Sequence, residues 1–157
     1  MTSLIMLEYS NGAIMNPESR VYCPWHPTRL DKKHPLLIED FLGLVKEKKV
    51  ICLKKMISML HGLNTQGLDS SHVKHLFDAI YELKDRTTDG GARVYFIAGQ
   101  NREFYAFHAE CKKNNETNEN MLIDGIEIME ASENGQAIFA VNNTPQRWRV
   151  TPKRSAT

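Results

Sequence analysis

Six basic side chains that could bind phosphate lie between residues 84 and 113 of this 157-residue chain. Four acidic residues, Asp85, Asp89, Glu103 and Glu110, share the stretch and leave it only two positive charges in excess. The whole chain has a formal charge of +1, so its long-range attraction to nucleic acid or membrane is weak. A polyanion site must therefore be local, with the acids turned away from it. The six basic residues are Lys84, Arg86, Arg93, Arg102, Lys112 and Lys113.

A histidine and two tyrosines in the same stretch could take part in proton transfer or base stacking. His108 has an unperturbed pKa near neutrality, which suits a general acid or base. Its neighbours Phe104, Ala106 and Phe107 also fit a hydrogen-bonded histidine with a structural role. Tyr95 and Tyr105 could stack on a base or donate a proton, and as aromatic strand residues they could equally pack in the sheet.

A metal site is an alternative, because three pairs of possible ligands are spaced three residues apart. These pairs are Cys23 with His26, His72 with His75, and His108 with Cys111. A strand through residues 108 to 111 would send the last two side chains to opposite faces, and we therefore expect neither a metal nor another cofactor.

The three cysteines are odd in number and have no CxxC spacing, which argues against a secreted disulfide framework. A reducing compartment, most simply the cytoplasm, is the expected location. No apolar run has the length of a membrane span, and Met1 to Leu7 lacks the features of a signal peptide.

The first half of the chain predicts a strand and a helical hairpin. Ser3–Tyr9 reads as a strand that enters a turn, and residues 16–35, with four prolines, read as an irregular connection that could hold a short strand near Arg20 to Tyr22. Helices follow from two apolar stripes, with a stop near Gly62 and a loop to Ser71. The stripes are Ile38, Phe41, Leu42 and Val45, then Val50, Leu53, Ile57 and Leu60.

The second half predicts an antiparallel meander and a closing helix. Ala79–Lys84, Arg93–Ala98 and Glu103–Ala109 have strand composition and are separated by turn residues. Thr117 is the expected cap of a helix with the stripe Leu122, Ile126 and Met129. Residues 136–141 read as one more strand. The basic tail from 142, with Trp148, reads as a solubilising end or as a phosphate clamp.

Several of these segments together resemble the phage-derived branch of the HigB toxins, in the RelE/HigB toxin superfamily. The resemblance covers about residues 35–129 and leaves 1–34 and the tail 142–157 of an expected single domain, 1–157, unassigned. It implies an α+β, RelE-like fold: a helical hairpin packed on an antiparallel sheet of three to five strands, with a C-terminal helix. The segments are Val73-Lys74-His75-Leu76, Ile80-Tyr81-Glu82-Leu83-Lys84, Gly91-Ala92-Arg93-Val94-Tyr95-Phe96, and His108 with Lys112-Lys113.

The resemblance also implies a function, the toxin component of a type II toxin-antitoxin system. Such a toxin is a metal-independent endoribonuclease that cuts mRNA on the ribosome and is silenced by a cognate antitoxin protein. The reaction needs help for the attacking 2′-OH, cations for the phosphorane charge and a proton donor for the leaving oxygen.

Site residues follow from the same resemblance. Arg93 would grip the scissile phosphate, or alternatively pair with Glu82 on the neighbouring strand. Lys84, Lys112 and Lys113 would supply further cations, and they could equally be solvated strand residues. The expected catalytic residues are Arg93, Lys112, Lys113, Lys84 and His108, and the expected RNA-binding residues are Arg86, Tyr95, Tyr105 and Arg102.

Departures from the family pattern keep other functions open. Glu82 replaces a lysine of RelE, the last helix has no tyrosine, and the near-neutral charge is unusual for a protein that binds RNA through phosphates. A catalytically degenerate RelE-fold binding protein and a ParE-type gyrase inhibitor are the alternatives. A nuclease depends on Arg93, Lys112 and Lys113, whereas both alternatives should tolerate their loss.

Overall fold

A computed structural model describes residues 21–29, 32–99, 103–114 and 118–134, and gives the backbone path of 138–141 and 144–147. The predicted strand Ser3–Tyr9, Arg102, Thr117, Trp148 and the residues after it lie outside the described residues. Three helices and eight strands occur within the described part of the chain. In chain order they are β1 (Val21–Tyr22), β2 (Pro24–Trp25), α1 (Leu36–Lys46), α2 (Val50–Gln66), β3 (Val73–Phe77), β4 (Ile80–Thr87), β5 (Gly90–Ala98), β6 (Phe104–Lys112), α3 (Glu119–Glu133), β7 (Ile138–Val141) and β8 (Thr144–Arg147).

The helical hairpin forms where the two apolar stripes predict it. Pro35 precedes α1, whose residues Leu37, Ile38 and Phe41 are buried. The predicted stop of α2 near Gly62 is wrong, because the fully buried Leu63 extends the apolar stripe by another turn. The helix ends at Gly67, which has a φ of 61° and can take this left-handed conformation without a Cβ clash.

Five strands form the main sheet in the order β1-β6-β5-β4-β3. The predicted meander is confirmed, since β4, β5 and β6 pair antiparallel through consecutive hairpins. Two additions surround it: β3 extends the sheet antiparallel to β4, and the short β1 pairs parallel to β6. A second sheet, β2-β7-β8, is made by one strand of the proline-rich connection and two strands from the C-terminal part.

The main sheet lies between the helical hairpin and α3. Leu83, Val94 and Phe96 point to the α1–α2 side, and Ile97 and Phe107 belong to the core packed against α3. A Cβ at Gly125 would lie 2.8 Å from both Ile80 Cδ1 and Phe107 Cζ, so the glycine lets α3 approach the sheet. The expected α+β fold, with its hairpin, sheet and C-terminal helix, is therefore confirmed.

Two details of the closing helix and the cysteines differ from expectation. Asn118 caps α3, its side chain accepting from the Met121 N–H at 3.2 Å, so the prediction of Thr117 as the cap is wrong. Cys52 and Cys111 form a disulfide across 59 residues, and Cys23 is buried. None of the helices in the described residues has the length and apolarity needed to cross a membrane.

Candidate functional site

An open groove of about 820 Å³ lies on the α3 side of the main sheet, beside the β4–β5 turn. Strand register places its side chains: Lys84 opposes Arg93, and Arg86 opposes Gly91, which in turn opposes Lys112. Gly91 leaves the position between Arg86 and Lys112 without a side chain. The cationic groove, as we call it, has the basic side chains Lys84, Arg86, Arg93, Lys112 and Lys113, and its wall continues along the turn from Thr87 to Gly91.

The two acidic residues that border the cationic groove form their hydrogen bonds and ion pairs with groups outside the groove. Asp85 accepts from Lys55 Nζ and His72 Nε2, both at 3.2 Å, on the helical side of the sheet. The Arg86 N–H, which donates to Asp85 at 2.8 Å, and the Lys55 ammonium hold the pKa of Asp85 below its usual value. Asp89 accepts from the backbone N–H groups that begin α2, at 2.9 and 3.2 Å. The groove therefore keeps its positive charge although the sequence around it is mixed.

Lys112 holds the most unusual charge in the cationic groove. Its Nζ atom is buried and has no hydrogen-bond partner among the described residues. A buried ammonium without a partner is costly, since water is removed and nothing replaces it. An anion bound in the groove would supply the missing acceptors once the lysine side chain turns outward, because its Nζ atom has essentially no exposed surface in this conformation.

Arg93 reaches the groove but is held by a neighbour. Its side chain donates to both carboxylate oxygens of Glu82, at 3.4 and 3.2 Å, across the β4–β5 pair. Arg93 is 8% exposed and Glu82 only 2%. This is the alternative that the sequence left open, an arginine paired with Glu82, and it occurs together with a place in the groove wall.

His108 lies outside the cationic groove and is bonded on both ring nitrogens. Nδ1 lies 2.6 Å from an oxygen of Asp40 on α1, and Nε2 lies 2.7 Å from an oxygen of Asp124 on α3. Burial by itself would lower the pKa of His108, but the hydrogen bonds and charges of Asp40 and Asp124 outweigh it and raise the pKa. Two carboxylates, one at each nitrogen, favour the protonated ring and leave no lone pair for general-base chemistry.

The contacts of His108 extend into a histidine–carboxylate cluster that joins α1, β6, α3 and the segment after β2. His26 Nε2 lies 2.6 Å from Glu127, and Arg29 donates to Asp124 at 3.0 Å. The cluster consists of His26, Arg29, Asp40, His108, Asp124 and Glu127.

Part of this cluster has the composition of a metal site, since ligand atoms of His26, Asp124 and Glu127 lie within 4.8 Å of one another. However, His26 Nδ1 accepts from the Thr28 N–H at 3.2 Å, so in the neutral ring Nε2 carries the proton and donates to Glu127. Arg29 and His108 also occupy the two oxygens of Asp124. The geometry fits a network of ion pairs rather than a metal centre.

The ligand pairs proposed from three-residue spacing are not brought together. Cys23 is buried in the core on the helical side. His72 bonds to Asp85, and His75 Nε2 bonds to the Asp78 carbonyl at 2.7 Å. Cys111 pairs with Cys52 on the face opposite His108.

The predicted RNA-binding tyrosines belong to the core beneath α3. Tyr105 donates to Glu103 at 2.7 Å and stacks on Tyr22. The Tyr95 hydroxyl is buried, and none of the described residues gives it a hydrogen bond of good geometry. Burial, followed by the charge of Glu110, raises the pKa of Tyr95. Neither ring lines the cationic groove, whereas Arg86 does.

Sequence reasoning missed the acidic partners that fix His108. Asp40 lies on the border of an apolar helical stripe, where a carboxylate ordinarily faces solvent. Asp124 and Glu127 share one face of α3, because they are three residues apart, and this spacing is the one signal that could have suggested a common partner.

A family model matches the middle of the chain. It is described as phage derived protein Gp49-like (DUF891) and matches residues 40–130, more than half of the chain. No curated protein sequence matches the chain significantly. The matched stretch contains every strand and turn that lines the cationic groove.

Proposed function

This chain belongs to the Gp49-like family of phage-derived proteins, a toxin-antitoxin-associated family in the RelE/HigB-like toxin superfamily, and from that premise we propose that it is a HigB-like endoribonuclease. Membership of such a family implies an antitoxin partner. The proposal adds that the substrate is mRNA, cut on the ribosome, and that the cationic groove binds the scissile phosphate.

The buried Lys112 ammonium is the observation that carries this proposal. A phosphate in the cationic groove would give its Nζ the acceptors that the described protein residues do not provide. Exposed Lys84, Arg86 and Lys113 surround the same space, so neighbouring phosphates of a strand would also be neutralised.

The cationic groove suits an intramolecular transesterification of RNA, in which a 2′-OH displaces the 5′-oxygen of the next nucleotide. The 2′-OH loses its proton and attacks the adjacent phosphate, and negative charge builds on the phosphorane oxygens. The bond from phosphorus to the 5′-oxygen then breaks, which leaves a 2′,3′-cyclic phosphate and a 5′-oxygen that takes up a proton. Fixed cations stabilise that charge more than the charge of the ground state, which accelerates the reaction. Arg93 would act from the wall of the groove while it stays bonded to Glu82. Lys112 would bind the phosphate after its buried ammonium turns outward into the groove.

A second candidate, a catalytically degenerate RelE-fold protein that binds RNA without cutting it, is favoured by two contacts. Arg93 shares its charge with Glu82, and His108 has both nitrogens bonded to carboxylates. Within the described residues the groove wall contains no histidine, so an unassisted 2′-OH would be a weak nucleophile.

Induced expression in cells separates these two candidates. The unmutated chain should arrest growth and create new mRNA 5′ ends that primer extension detects. Lys112→Met keeps the apolar stem and removes the charge, and should reduce both effects at least about tenfold. Lys74→Met is the matched control, because Lys74 is exposed on β3 and lies outside the groove. Full growth and unchanged messages with the unmutated chain would leave the binding function alone standing.

The antitoxin is tested separately. A tagged chain expressed from its native neighbourhood should co-purify with the product of an adjacent small gene. That product should restore growth when it is supplied from a second promoter. Purification of the chain alone, with growth arrest that no neighbouring gene relieves, would contradict the assignment to a toxin-antitoxin pair.

A further inference from the structure

A disulfide lies directly beneath the cationic groove. Cys52 is in the first turn of α2, and Cys111 is the residue before Lys112 on β6. Successive strand residues point to opposite faces, so Cys111 points to the helices and Lys112 to the groove. The bond therefore ties α2 to the short piece of backbone from which the buried ammonium projects.

The β4–β5 turn, which forms one wall of the cationic groove, packs around both sulfur atoms. Cys52 Sγ lies 3.3 Å from Thr87 Oγ1 and 3.6 Å from the Gly90 carbonyl oxygen. Cys111 Sγ lies 3.3 Å from the Asp89 carbonyl oxygen. A Cβ at Gly90 would lie 2.9 Å from Cys111 Sγ, so only glycine lets the turn lie this close.

These carbonyl oxygens also suit the reduced state. Once the bond is reduced, each sulfur carries a proton, and the Cys52 and Cys111 thiols can donate to the Gly90 and Asp89 carbonyls at the distances already present. Reduction thus leaves neither thiol without an acceptor, and the fold accommodates both redox states.

We propose that the Cys52–Cys111 pair is a reversible redox switch that sets the affinity of the cationic groove for RNA. The inference rests on the proposed function, since it assigns regulation to the same groove. The oxidised pair holds the end of β6 and the turn in the binding geometry. Reduction replaces the covalent link between the two segments with weak thiol hydrogen bonds. The turn and the end of β6 then move more freely, and RNA binding must restrict that motion, which weakens affinity.

The switch requires an oxidant, for which a low-molecular-weight disulfide such as oxidised glutathione suffices. The half-buried Cys111 thiolate attacks one sulfur of that disulfide and releases the first small thiolate. The buried Cys52 thiolate then attacks the Cys111 sulfur and releases the second. The two cysteines lose two protons and two electrons, and the small disulfide becomes two thiols.

The test uses the full chain, a fluorescein-labelled single-stranded RNA and fluorescence anisotropy at fixed salt. Protein oxidised with glutathione disulfide should bind about fivefold more tightly than protein reduced with a phosphine. Its melting temperature should be about 10 °C higher, because the link closes a long loop in the unfolded chain. Alkylation and mass spectrometry should count one free thiol in the oxidised protein and three in the reduced protein.

Three variants locate the effect. Cys111→Ser should abolish the redox dependence, and Cys52→Ser should do the same if the buried substitution still folds. Cys23→Ser should keep it, since Cys23 lies outside the pair. Equal RNA affinity in both states, with the disulfide formed, overturns the switch but leaves the proposed function intact. Absence of RNA binding in both states overturns both, and failure of glutathione disulfide to form the bond overturns the switch alone.

Discussion

His108 and Lys112 are four residues apart on β6 and point to the same face of the sheet. The fold pairs His108 with carboxylates, whereas it gives Lys112 no partner among the described residues. His108 lies between two carboxylates from two different helices, and every charged neighbour in its cluster also has a partner. The Lys112 ammonium is buried beside three exposed cations and has no partner among the described residues. One strand thus carries a charge that the fold satisfies and a charge that it leaves unsatisfied.

The difference separates charges that hold the structure together from a charge placed for a ligand. A buried charge destabilises the folded protein unless it is paired. When one member of a buried ion pair is removed, the other is left uncompensated and the folded protein loses stability. Removal of an unpaired buried charge should cost no stability and should instead reduce binding. Stability and RNA affinity, measured on the same variant, show which of these two kinds of charge a residue carries.

Arg93 should show the largest effect, because it lines the cationic groove and is also paired with a buried carboxylate. Arg93→Gln leaves the carboxylate of Glu82, which is 2% exposed, without its cation and should cost about 3 kcal/mol of unfolding free energy. The double change Glu82→Gln with Arg93→Gln removes both charges and should recover most of that loss. Urea unfolding of both variants checks this. Equal losses in the single and double variants would show that the ion pair is not the cause.

The histidine–carboxylate cluster should come second. His108→Ala removes the ring that bonds to both Asp40 and Asp124, and should cost about 2 kcal/mol in urea unfolding. Asp124 keeps its ion pair with Arg29, whereas Asp40 loses its cationic partner among the described residues. His61→Ala, on an exposed position of α2, is the matched control and should stay within about 0.5 kcal/mol of the parent. RNA affinity of folded His108→Ala should be unchanged. A selective loss of RNA binding would instead place His108 with the groove.

The pH dependence of stability should follow from the same histidine. The pKa of His108 in the folded protein lies above its ordinary value of 6.5. Its contribution is therefore complete below about pH 6.5 and is lost as pH rises through the folded-state pKa, by at most about 1.4 kcal/mol per pH unit. Urea unfolding between pH 6 and 9 should show this decline in the parent and a flatter curve in His108→Ala. If the unfolding free energies of the two proteins changed with pH in parallel, His108 would not be the cause of the decline.

The smallest effect is expected at the exposed end of the cationic groove. Lys113→Ala should weaken RNA binding about threefold at low salt and leave the unfolding free energy within about 0.5 kcal/mol of the parent. Anisotropy titrations at several salt concentrations measure the binding. Lys54→Ala, at an exposed position of α2, is the control and should have no effect on RNA affinity.

The sequence was most informative where local pattern and packing agree. Helical stripes such as Ile38 with Phe41, and the alternating segments from Ile80 to Ala109, predict the hairpin and the meander because their periods match the faces that become buried. Gly62 misled, because a glycine inside a helix is tolerated when the next turn supplies a core residue such as Leu63.

The site was predictable only in part, because several of its contacts join residues that are far apart in the sequence. Lys112, Arg93 and Lys84 were placed by their resemblance to a family, and strand register brings them to one groove. Asp85 could point to the groove or to Lys55, depending on which face of the sheet its side chain occupies. The charges of the neighbouring residues in the sequence do not indicate that face. The partners of His108 come from 68 residues before it and 16 after it, and no periodicity links them.

Lys112→Met, measured for both stability and RNA affinity, tests the central claim most directly. We expect an unfolding free energy no lower than that of the parent, because the substitution removes a buried ammonium that has no partner among the described residues. RNA affinity should fall about tenfold, and the slope of log K against log salt should decrease by about 0.7. A loss of 1 kcal/mol or more in stability, with RNA affinity unchanged, would contradict it.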